Sequence, residues 1–354
     1  MDLKSYTTLG RTGLRVSPLC LGAMTFGTES GSWGADETVS RSIFDRYVDA
    51  GGNFVDTADG YQKGHSEQMC GKFINDRKLR DQVVLATKFT FNGSPGNPNS
   101  GGNGRKNIYR AIDASLKRLS TDFVDLYWLH AWDTVTPVEE VVATLTDLVR
   151  AGKILHYGFS DTPAWYVARA QTLAEQQGKE GVAALQLEYS LIERNIEREH
   201  IPAAQELGIG ICPWSPLGGG FLTGKYKRQG DTGTGDGRLT KGSPFNKFTD
   251  HNWRILEVLL DASKQLGKSP AQVAIQWVVT QPGITSTILG ANSLAQLNDN
   301  LASLEFTIPA DVRKRLDEAS ALEPAHPYVF FGGMIQSMIH GGVEVKAWKA
   351  AAGR

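Results

Sequence analysis

The chain has 354 residues, of which 41% are hydrophobic, and its formal net charge at pH 7 is −1. A near-neutral chain lacks the basic excess that nucleic acid or an anionic membrane surface attracts, so we expect neither partner. The first residues are polar, with no signal-peptide pattern, and no apolar run approaches the roughly 20 residues that span a bilayer. These features predict a cytoplasmic globular protein.

Eight short apolar runs predict β-strands. In chain order they cover residues 18–22, 53–56, 83–88, 123–130, 154–160, 184–189, 209–215 and 284–290. Near-continuous apolar runs of this length are typical of parallel strands that are buried on both faces.

Stretches with apolar residues at helical spacing lie between most of these strands. The predicted helices cover residues 36–52, 105–120, 136–153, 163–177, 197–208, 250–267, 269–282 and 292–303. The alternation predicts an α/β fold, a (β/α)8 TIM barrel, with residues 1–354 as a single domain. An open doubly wound sheet is the alternative, but no G-x-G-x-x-G phosphate turn follows an early strand.

Further segments surround the predicted barrel. Residues 6–17 (YTTLGRTGLRVS) have the pattern of a β-hairpin with a glycine turn. Residues 91–105 and 227–248 are dominated by Gly, Asn, Ser, Pro and Thr, and each follows the C-terminal end of a strand. Barrel enzymes build their sites at those ends, so we expect these loops, and the tail from residue 323, to lie over the active-site face.

The three cysteines, Cys20, Cys70 and Cys212, are far apart and lack metal-ligand spacing. Two of them lie within apolar runs, which predicts buried, reduced thiols. No cluster of Cys and His offers a metal site, so we expect no metal.

Four polar residues end or follow predicted strands. They are Asp56, Tyr61, Lys88 and His130. The C-terminal ends of parallel strands converge on one rim of a barrel, so these side chains would meet there. Each alone has an ordinary structural explanation, such as helix capping or packing.

Together the four residues can form a proton-transfer unit. A phenol with a pKa near 10 is a poor acid at neutral pH unless its phenolate is stabilised, and a neighbouring ammonium does that. A buried ammonium in turn needs a carboxylate partner. Asp56, Lys88 and Tyr61 would supply this sequence of groups, and His130 would donate a hydrogen bond to a substrate carbonyl.

Several motifs, in order along the chain, resemble those of the aldo-keto reductases. They are LGRTGLRVSPLCLGAMTFG, DTADGY, LATK, LYWLHAWD, GFSD, QLEYSLIER, WSPLGGGFLTGKY and ILGANSLAQLNDNL, and together they extend over nearly the whole chain. Within the family the chain is most similar to the aryl-alcohol-dehydrogenase-like and potassium-channel-β-subunit-like branches. The resemblance implies that Tyr61 is the general acid/base and that Asp56, Lys88 and His130 complete a tetrad.

The resemblance also implies a nicotinamide cofactor that lies extended across the barrel mouth. Trp214 would stack on the nicotinamide ring, and its carboxamide would contact Ser160, Asp161 and Gln186. The SPLGGG segment would bind the pyrophosphate through backbone N–H groups, and residues 290–300 would surround the adenosine 2′-phosphate and adenine. The remaining implied cofactor contacts are Ala23, Met24, Asp56, Ser215, Leu217, Gly219, Lys225, Arg238, Gly290, Asn292, Gln296 and Asn300.

Two positions depart from the family pattern. Many members have arginine at the position of Asn292, whose uncharged amide forms no ion pair with a 2′-phosphate. Many have asparagine at the position of Asp161, and a carboxylate cannot donate to the carboxamide oxygen. The channel-subunit-like branch also lacks that arginine yet uses NADPH, so NADPH/NADP+ is the expected cofactor and NAD the alternative.

The resemblance therefore implies an NADPH-dependent enzyme that reversibly reduces aldehydes or ketones, with a small-molecule carbonyl or alcohol as its partner. The candidate pocket residues are Met24, Phe26, Trp33, Phe89, Trp132, Tyr328, Phe330 and Phe331. The large number of aromatic rings in this set favours an aromatic or bulky apolar substrate. The alternative function is a regulatory subunit that binds NADPH and turns over slowly. Nothing in the sequence indicates a homo-oligomer.

Overall fold

The structure, a computed structural model, describes residues 1–30, 34–230, 232–240 and 245–346. Its strands are β1 (Thr7–Thr8), β2 (Arg15–Val16), β3 (Leu19–Gly22), β4 (Phe54–Asp56), β5 (Val84–Phe89), β6 (Val124–Leu129), β7 (Ile154–Ser160), β8 (Ala184–Gln186), β9 (Gly210–Ile211), β10 (Lys227–Gln229), β11 (Thr232–Thr234) and β12 (Thr287–Leu289). Its α-helices are α1 (Glu37–Asp49), α2 (His65–Asp76), α3 (Arg105–Leu119), α4 (Val138–Arg150), α5 (Ala164–Gln176), α6 (His200–Leu207), α7 (Asp250–Leu266), α8 (Pro270–Val279), α9 (Leu294–Leu301), α10 (Ala310–Ala319) and α11 (Gly333–Ile339).

Eight of the described strands form one parallel sheet, in the order β12-β3-β4-β5-β6-β7-β8-β9. The sheet closes on itself, because Ile211 pairs with Ile284 and the Ile288 amide donates to the Pro213 carbonyl (2.8 Å). The (β/α)8 barrel predicted from the alternation of strands and helices is therefore confirmed.

Side chains alternate between two layers along each barrel strand. In β5, Val84 and Ala86 belong to the cluster inside the barrel, whereas Leu85 and Phe89 belong to the cluster between the sheet and the helices. Lys88 is in phase with the inner residues. The same alternation places the side chains at the ends of the neighbouring strands on the inner face. These side chains therefore meet at the C-terminal rim of the barrel.

The barrel interior is filled by complementary large and small residues. Trp128 on β6 lies opposite Gly158 on β7, and both belong to the paired ladder of these strands. A Cβ atom at Gly158 would lie 2.4 Å from the Trp128 ring and 2.7 Å from the Ala184 carbonyl oxygen. The indole therefore requires glycine at this position, since close-packed interiors have no room for an extra methyl group.

The N-terminal hairpin predicted from the sequence is also confirmed, because β1 and β2 pair antiparallel. Leu9 and Val16 of this hairpin are fully buried in the cluster that fills the barrel, with Cys20 and Cys212. The three cysteines are buried and unbonded, as predicted.

Other elements differ from the sequence prediction. The helices α2, α10 and α11 were not predicted, and the Gly-rich segment 227–248 contains a second hairpin, β10–β11. The segment 91–105 is fixed by its own side chains, with Ser100 Oγ donating to Asn92 Oδ1 (2.7 Å) and Asn103 Nδ2 donating to the Ala131 carbonyl (2.9 Å).

The chain forms two compact units, Met1–Ser320 and Ala321–Arg354. The described part of the second unit has a short 3-10 helix at Tyr328–Phe331, followed by α11, and the Gln336 side chain donates to the Phe330 carbonyl (3.1 Å). The expectation that this tail covers the active-site face stays a prediction. Among the described residues, no helix is long and apolar enough to cross a bilayer.

Candidate active site

A buried ion pair lies at the C-terminal rim of the barrel. Lys88 at the end of β5 is 0% exposed, and Asp56 at the end of β4 is 2% exposed. The Lys88 ammonium donates to Asp56 Oδ2 and to the Thr57 carbonyl (2.8 Å), and Gln186 Nε2 donates to Asp56 Oδ1 (3.1 Å). Burial alone would lower the pKa of Lys88, but the Asp56 carboxylate and the Tyr61 phenol outweigh burial and raise this pKa above its usual value. Lys88 is therefore a charged group held by fixed acceptors.

The Tyr61 side chain packs directly on this pair. Its ring centroid is 4.7 Å from the Lys88 nitrogen. Burial raises the pKa of the Tyr61 phenol above its usual value, while the Lys88 charge acts in the opposite direction. We expected the ammonium to stabilise the phenolate, and it does contribute in that sense. The pKa of Tyr61 nevertheless rises overall, because desolvation of the phenolate is a larger effect than its attraction to the Lys88 ammonium.

His130 follows β6 and completes the cluster. Its ring meets the Tyr61 ring edge-on, at 5.7 Å between centroids, and meets the Phe91 ring edge-on at 4.7 Å. Burial, assisted by the Lys88 charge, lowers the pKa of His130 well below its usual value. His130 is therefore neutral, and its Nδ1 atom is buried without a hydrogen-bond partner in the described structure.

Trp214 lies on the other side of the rim, after β9. Its indole N–H donates to Asp161 Oδ1 (3.2 Å), and the Asp161 amide donates to the Gln186 carbonyl (3.2 Å). Burial by the surrounding groups raises the pKa of Asp161 to about 6. Ser160 Oγ is 3.4 Å from Asp161 Oδ2. The Gln186 side chain itself donates to Asp56, so it links this side of the rim to the ion pair.

An open cleft lies beside Trp214. Its lining combines a flat aromatic ring with charged groups, and it consists of Glu188, Trp214, Ser215, Gly219, Arg238, Leu239, Phe245 and Lys247. Lys247 pairs with Glu188 (2.8 Å). The Gly219 N–H, expected to bind pyrophosphate, donates here to Ser215 Oγ (3.1 Å). That amide is thus engaged by its own loop.

The other predicted cofactor residues lie in two further segments and in the loop before β10. The Met24 carbonyl accepts from Gln62 Nε2 (3.1 Å), and the fully buried Ala23 precedes it. The Asn292 backbone N–H donates to the side-chain oxygen Gln296 Oε1 (3.0 Å) at the start of α9. In the same segment the buried Asn300 side-chain amide donates to the Gly290 carbonyl (3.5 Å). Leu217 and Lys225 lie in the loops after β9, where Leu217 is partly buried and Lys225 is exposed.

The predicted substrate pocket is only partly brought to the rim. Phe26 and Phe89 are fully buried and pack on Phe73 and Tyr127, so the structure places them in the core and corrects the expectation that they line a pocket. Phe89 is out of phase with Lys88 and points to the helix layer. The partly buried Trp132 stays near the rim.

Four other candidates are not placed at the rim by the described structure. Trp33 lies outside the described residues. Tyr328, Phe330 and Phe331 belong to the second unit.

Sequence reasoning missed two aromatic residues near this rim. Phe91, 56% exposed, packs on His130, and Trp165 packs edge-on against Trp132 at 5.7 Å. Phe91 was not predictable from alternation, because Thr90 has φ 121° and breaks the strand geometry just before it. Trp165 could have been found as an exposed aromatic residue in the first turn of the helix that follows β7.

A model of the aldo/keto reductase family matches residues 18–321. The chain belongs to the aldo/keto reductase family. Similar proteins include an uncharacterised oxidoreductase, YrpG, from Bacillus subtilis, which is 38% identical over 88% of this chain and 95% of the relative. The family recognition from the motifs is confirmed.

Two fungal relatives carry more specific names. An aryl-alcohol dehydrogenase of Pestalotiopsis microspora is 33% identical over 91% of this chain and 84% of its own length. A norsolorinic acid reductase B of Dothistroma septosporum is also 33% identical, over 91% of this chain and 83% of its own length. The chain is thus an oxidoreductase that acts on carbonyl or CH–OH groups, in a family that uses NAD(P)H.

Proposed function

We propose that this enzyme reduces aldehydes and ketones to alcohols with NADPH, in a reversible reaction, and that its substrates are aromatic or bulky apolar carbonyl compounds. The observation that carries the proposal is the buried Lys88–Asp56 pair with the Tyr61 and His130 rings against it. Such a cluster supplies a proton donor, a charge that stabilises the resulting phenolate, and a neutral hydrogen-bond donor at one rim.

Tyr61 is assigned as the general acid. Burial keeps the phenol protonated at neutral pH, so the proton is present when the substrate oxygen begins to carry negative charge. Transfer of that proton leaves a phenolate beside the Lys88 ammonium, which Asp56 holds in place. The Lys88 charge thus acts on the state that follows proton transfer, where it lowers the barrier most.

His130 is assigned to orient the carbonyl oxygen. Because the imidazole is neutral, one of its ring nitrogens carries a proton and the other does not. The unpartnered Nδ1 is buried, which favours Nε2–H as the nitrogen that faces a substrate. A neutral donor suits this role, since it stabilises the developing charge without competing with Tyr61 as an acid.

The cleft beside Trp214 carries groups suited to parts of a nicotinamide dinucleotide. Trp214 offers an aromatic face and is linked to the ion pair through Asp161 and Gln186. Arg238 lies along the same cleft with a charge suited to phosphate. A reduced nicotinamide bound there would supply the hydride, which no side chain can provide. The preference for NADPH over NADH is assigned to Lys225 and Arg238, since Asn292 brings no charge to the adenosine end.

The substrate class is inferred from the rim and from the relatives. Phe91 and Trp165 are exposed aromatic residues, and Trp132 packs on Trp165. Aromatic rings bind flat apolar compounds through large contact areas at low entropic cost. Two of the similar proteins are named as an aryl-alcohol dehydrogenase and a norsolorinic acid reductase.

The test is a fluorescence titration of the purified protein with NADPH and, separately, with NADH. We expect quenching of Trp214 and a dissociation constant at least about tenfold lower for NADPH, a difference of about 1.4 kcal/mol. A Trp214→Phe variant should lose most of the quenching signal, and Arg238→Ala should reduce the difference between the two cofactors. Equal affinities would contradict the NADPH preference, and no binding of either would contradict the proposed function.

A further inference from the structure

We propose that Gln62 is a positioning residue that holds the Tyr61 phenol in the active site by tying its strained turn to the loop after β3. The inference rests on the proposed function, because it concerns the placement of the assigned proton donor. Its test includes a measurement that needs no cofactor.

The turn after Tyr61 has an unusual backbone. Gln62, Lys63 and Gly64 have φ values of 48°, 55° and 92°, so three consecutive residues adopt the left-handed region. Only glycine adopts that region without steric cost. Two residues with side chains remain there only if the surrounding structure holds them, and such conformations concentrate at functional sites.

The Gln62 side chain provides that hold. It is 1% exposed, and both ends of its amide are bonded. Its Nε2 donates to the Met24 carbonyl (3.1 Å), and its Oε1 accepts from the Ser30 amide (2.8 Å). Lys63, the next residue, is exposed, and its side chain has no hydrogen bond or ion pair in the described part of the chain. The strain is shared by two residues, but of the two only Gln62 makes side-chain hydrogen bonds in the described structure.

The loop that Gln62 contacts is itself fixed to the barrel. Thr25 Oγ1 donates to the Ala291 carbonyl (2.7 Å), and the Thr25 carbonyl accepts from the Ala35 amide (2.7 Å). The Gly27 amide donates back to Ala35 (2.8 Å). Gly27 also approaches the turn closely, since a Cβ atom there would lie 2.8 Å from Gln62 Cβ. The side chain therefore connects the turn to a rigid support.

The position of Tyr61 depends on this connection. Its ring lies 4.7 Å from the Lys88 nitrogen and 5.7 Å from the His130 centroid, directly before the strained turn. Without the two amide bonds, the turn can relax to a right-handed conformation and carry the phenol away. Proton transfer is sensitive to such shifts. Trp214, the predicted contact of the nicotinamide ring, lies on the opposite side of the rim from this turn. Loss of Gln62 should thus affect the chemical step more than cofactor binding, because its bond to Met24, an implied cofactor contact, uses only the backbone carbonyl of that residue.

The test compares Gln62→Met and Gln62→Gly with Lys63→Gly. The methionine variant keeps a long side chain but removes both bonds, and the glycine variant also relieves the strain. Lys63→Gly relieves strain in the same turn without removing a bond, so it is the matched control. We expect both Gln62 variants to lower kcat with an aromatic aldehyde by about 10- to 100-fold and Lys63→Gly to change it by less than about twofold.

Three further readouts separate positioning from general stability. In the Gln62 variants the isotope effect with NADPH deuterated at the transferred position should increase, because the chemical step becomes slower. Their dissociation constant for NADPH, from Trp214 fluorescence, should stay within about threefold of wild type. Amide hydrogen exchange in residues 57–64 should become faster in the Gln62 variants and not in Lys63→Gly.

Several results would overturn the inference. Wild-type kcat and isotope effects in the Gln62 variants would do so, as would an equal loss in Lys63→Gly. A fall in kcat with a parallel loss of Tm and NADPH affinity would assign Gln62 a general structural role. If the wild type bound no cofactor and reduced no carbonyl, the proposed function would fail separately. Unchanged hydrogen exchange in residues 57–64 of the Gln62 variants would then still overturn the positioning role.

Discussion

The Lys88 ammonium and the Asp56 carboxylate form an ion pair inside the barrel, with side-chain exposures of 0% and 3%. Asp56 is further held by Gln186, and Lys88 by the Thr57 carbonyl. A pair so fully removed from water differs from the surface pairs of this chain, such as Lys72–Glu37, whose side chains are about half exposed (53% and 50%). The difference leads to a stability prediction that does not depend on the proposed function.

Lys88→Met should destabilise the protein by about 3–5 kcal/mol, because it leaves the Asp56 carboxylate buried without its cation. Asp56→Asn in the same chain should restore part of this loss, since it removes the orphaned charge. Lys72→Met is the control and should cost less than about 1 kcal/mol. Urea unfolding at pH 7 measures the free energy of unfolding of the wild type, the two single variants and the double variant. Equal effects of the Lys88 and Lys72 variants would show that burial of the pair does not matter.

His130 should be neutral at pH 6 and act as a hydrogen-bond donor. Burial and the Lys88 charge both lower its pKa. In 15N-histidine spectra at pH 6, the signal that disappears in His130→Gln should have the pattern of a neutral imidazole. For catalysis, His130→Gln retains a donor and should lower kcat/KM about tenfold, whereas His130→Ala should lower it by about 100- to 1,000-fold. An imidazolium signal at pH 6 would refute this assignment.

Asp59 should make the stability of the protein depend on pH. Burial, with the charge of Glu67, raises its pKa to about 7, and its Oδ1 has no partner in the described structure. The folded-state pKa thus exceeds the unfolded value near 3.9, so the stabilisation is complete below about pH 3.9 and is lost as the pH rises through 7.

Asp59→Asn should therefore gain stability relative to wild type between pH 5 and pH 8. The expected gain is about 1–2 kcal/mol, less than the roughly 4 kcal/mol that the full difference between the folded and unfolded pKa values would give, because Asp59 is partly exposed. Urea midpoints at the two pH values test this. A difference between variant and wild type that stays constant from pH 5 to pH 8 would mean that Asp59 is not the titrating group.

Gly158→Ala should destabilise the barrel by about 1–3 kcal/mol, because the new methyl group would overlap the Trp128 ring. Gly13→Ala is the matched control, since no atom lies within 4 Å of a Cβ placed there. Thermal unfolding of both variants gives the comparison. If Gly158→Ala unfolds at the wild-type temperature, the ring has room to move and the packing explanation is wrong.

Much of the fold was predictable from the sequence because its signals are local. Apolar runs and helical spacing identified the barrel strands and eight of the helices, and the short motifs at the strand ends indicated the tetrad. Helix α2 was missed: its apolar positions are few, and Ser66 and Glu67, buried polar residues, occupy its inner face. Buried polar positions are satisfied by tertiary partners that a one-dimensional pattern does not contain.

The limits of prediction at the site have similar physical causes. The net direction of the Tyr61 pKa depends on how fully the phenol is desolvated, which only packing determines. The outward position of Phe89 follows from strand phase, and that of Phe91 from a single backbone angle at Thr90. Gln62 carries no sequence signal of its own, because its importance lies in two bonds to a loop more than 30 residues away.

The most direct test of the proposed function is stopped-flow reduction of an aromatic aldehyde, such as benzaldehyde, by wild type and Tyr61→Phe with bound NADPH. We expect rapid oxidation of NADPH by the wild type and a rate at least about 1,000-fold lower in the variant, a loss of about 4 kcal/mol of transition-state stabilisation. The variant should still bind NADPH with wild-type affinity. A Tyr61→Phe enzyme that reduces the aldehyde at the wild-type rate would contradict the assignment of Tyr61 as the proton donor.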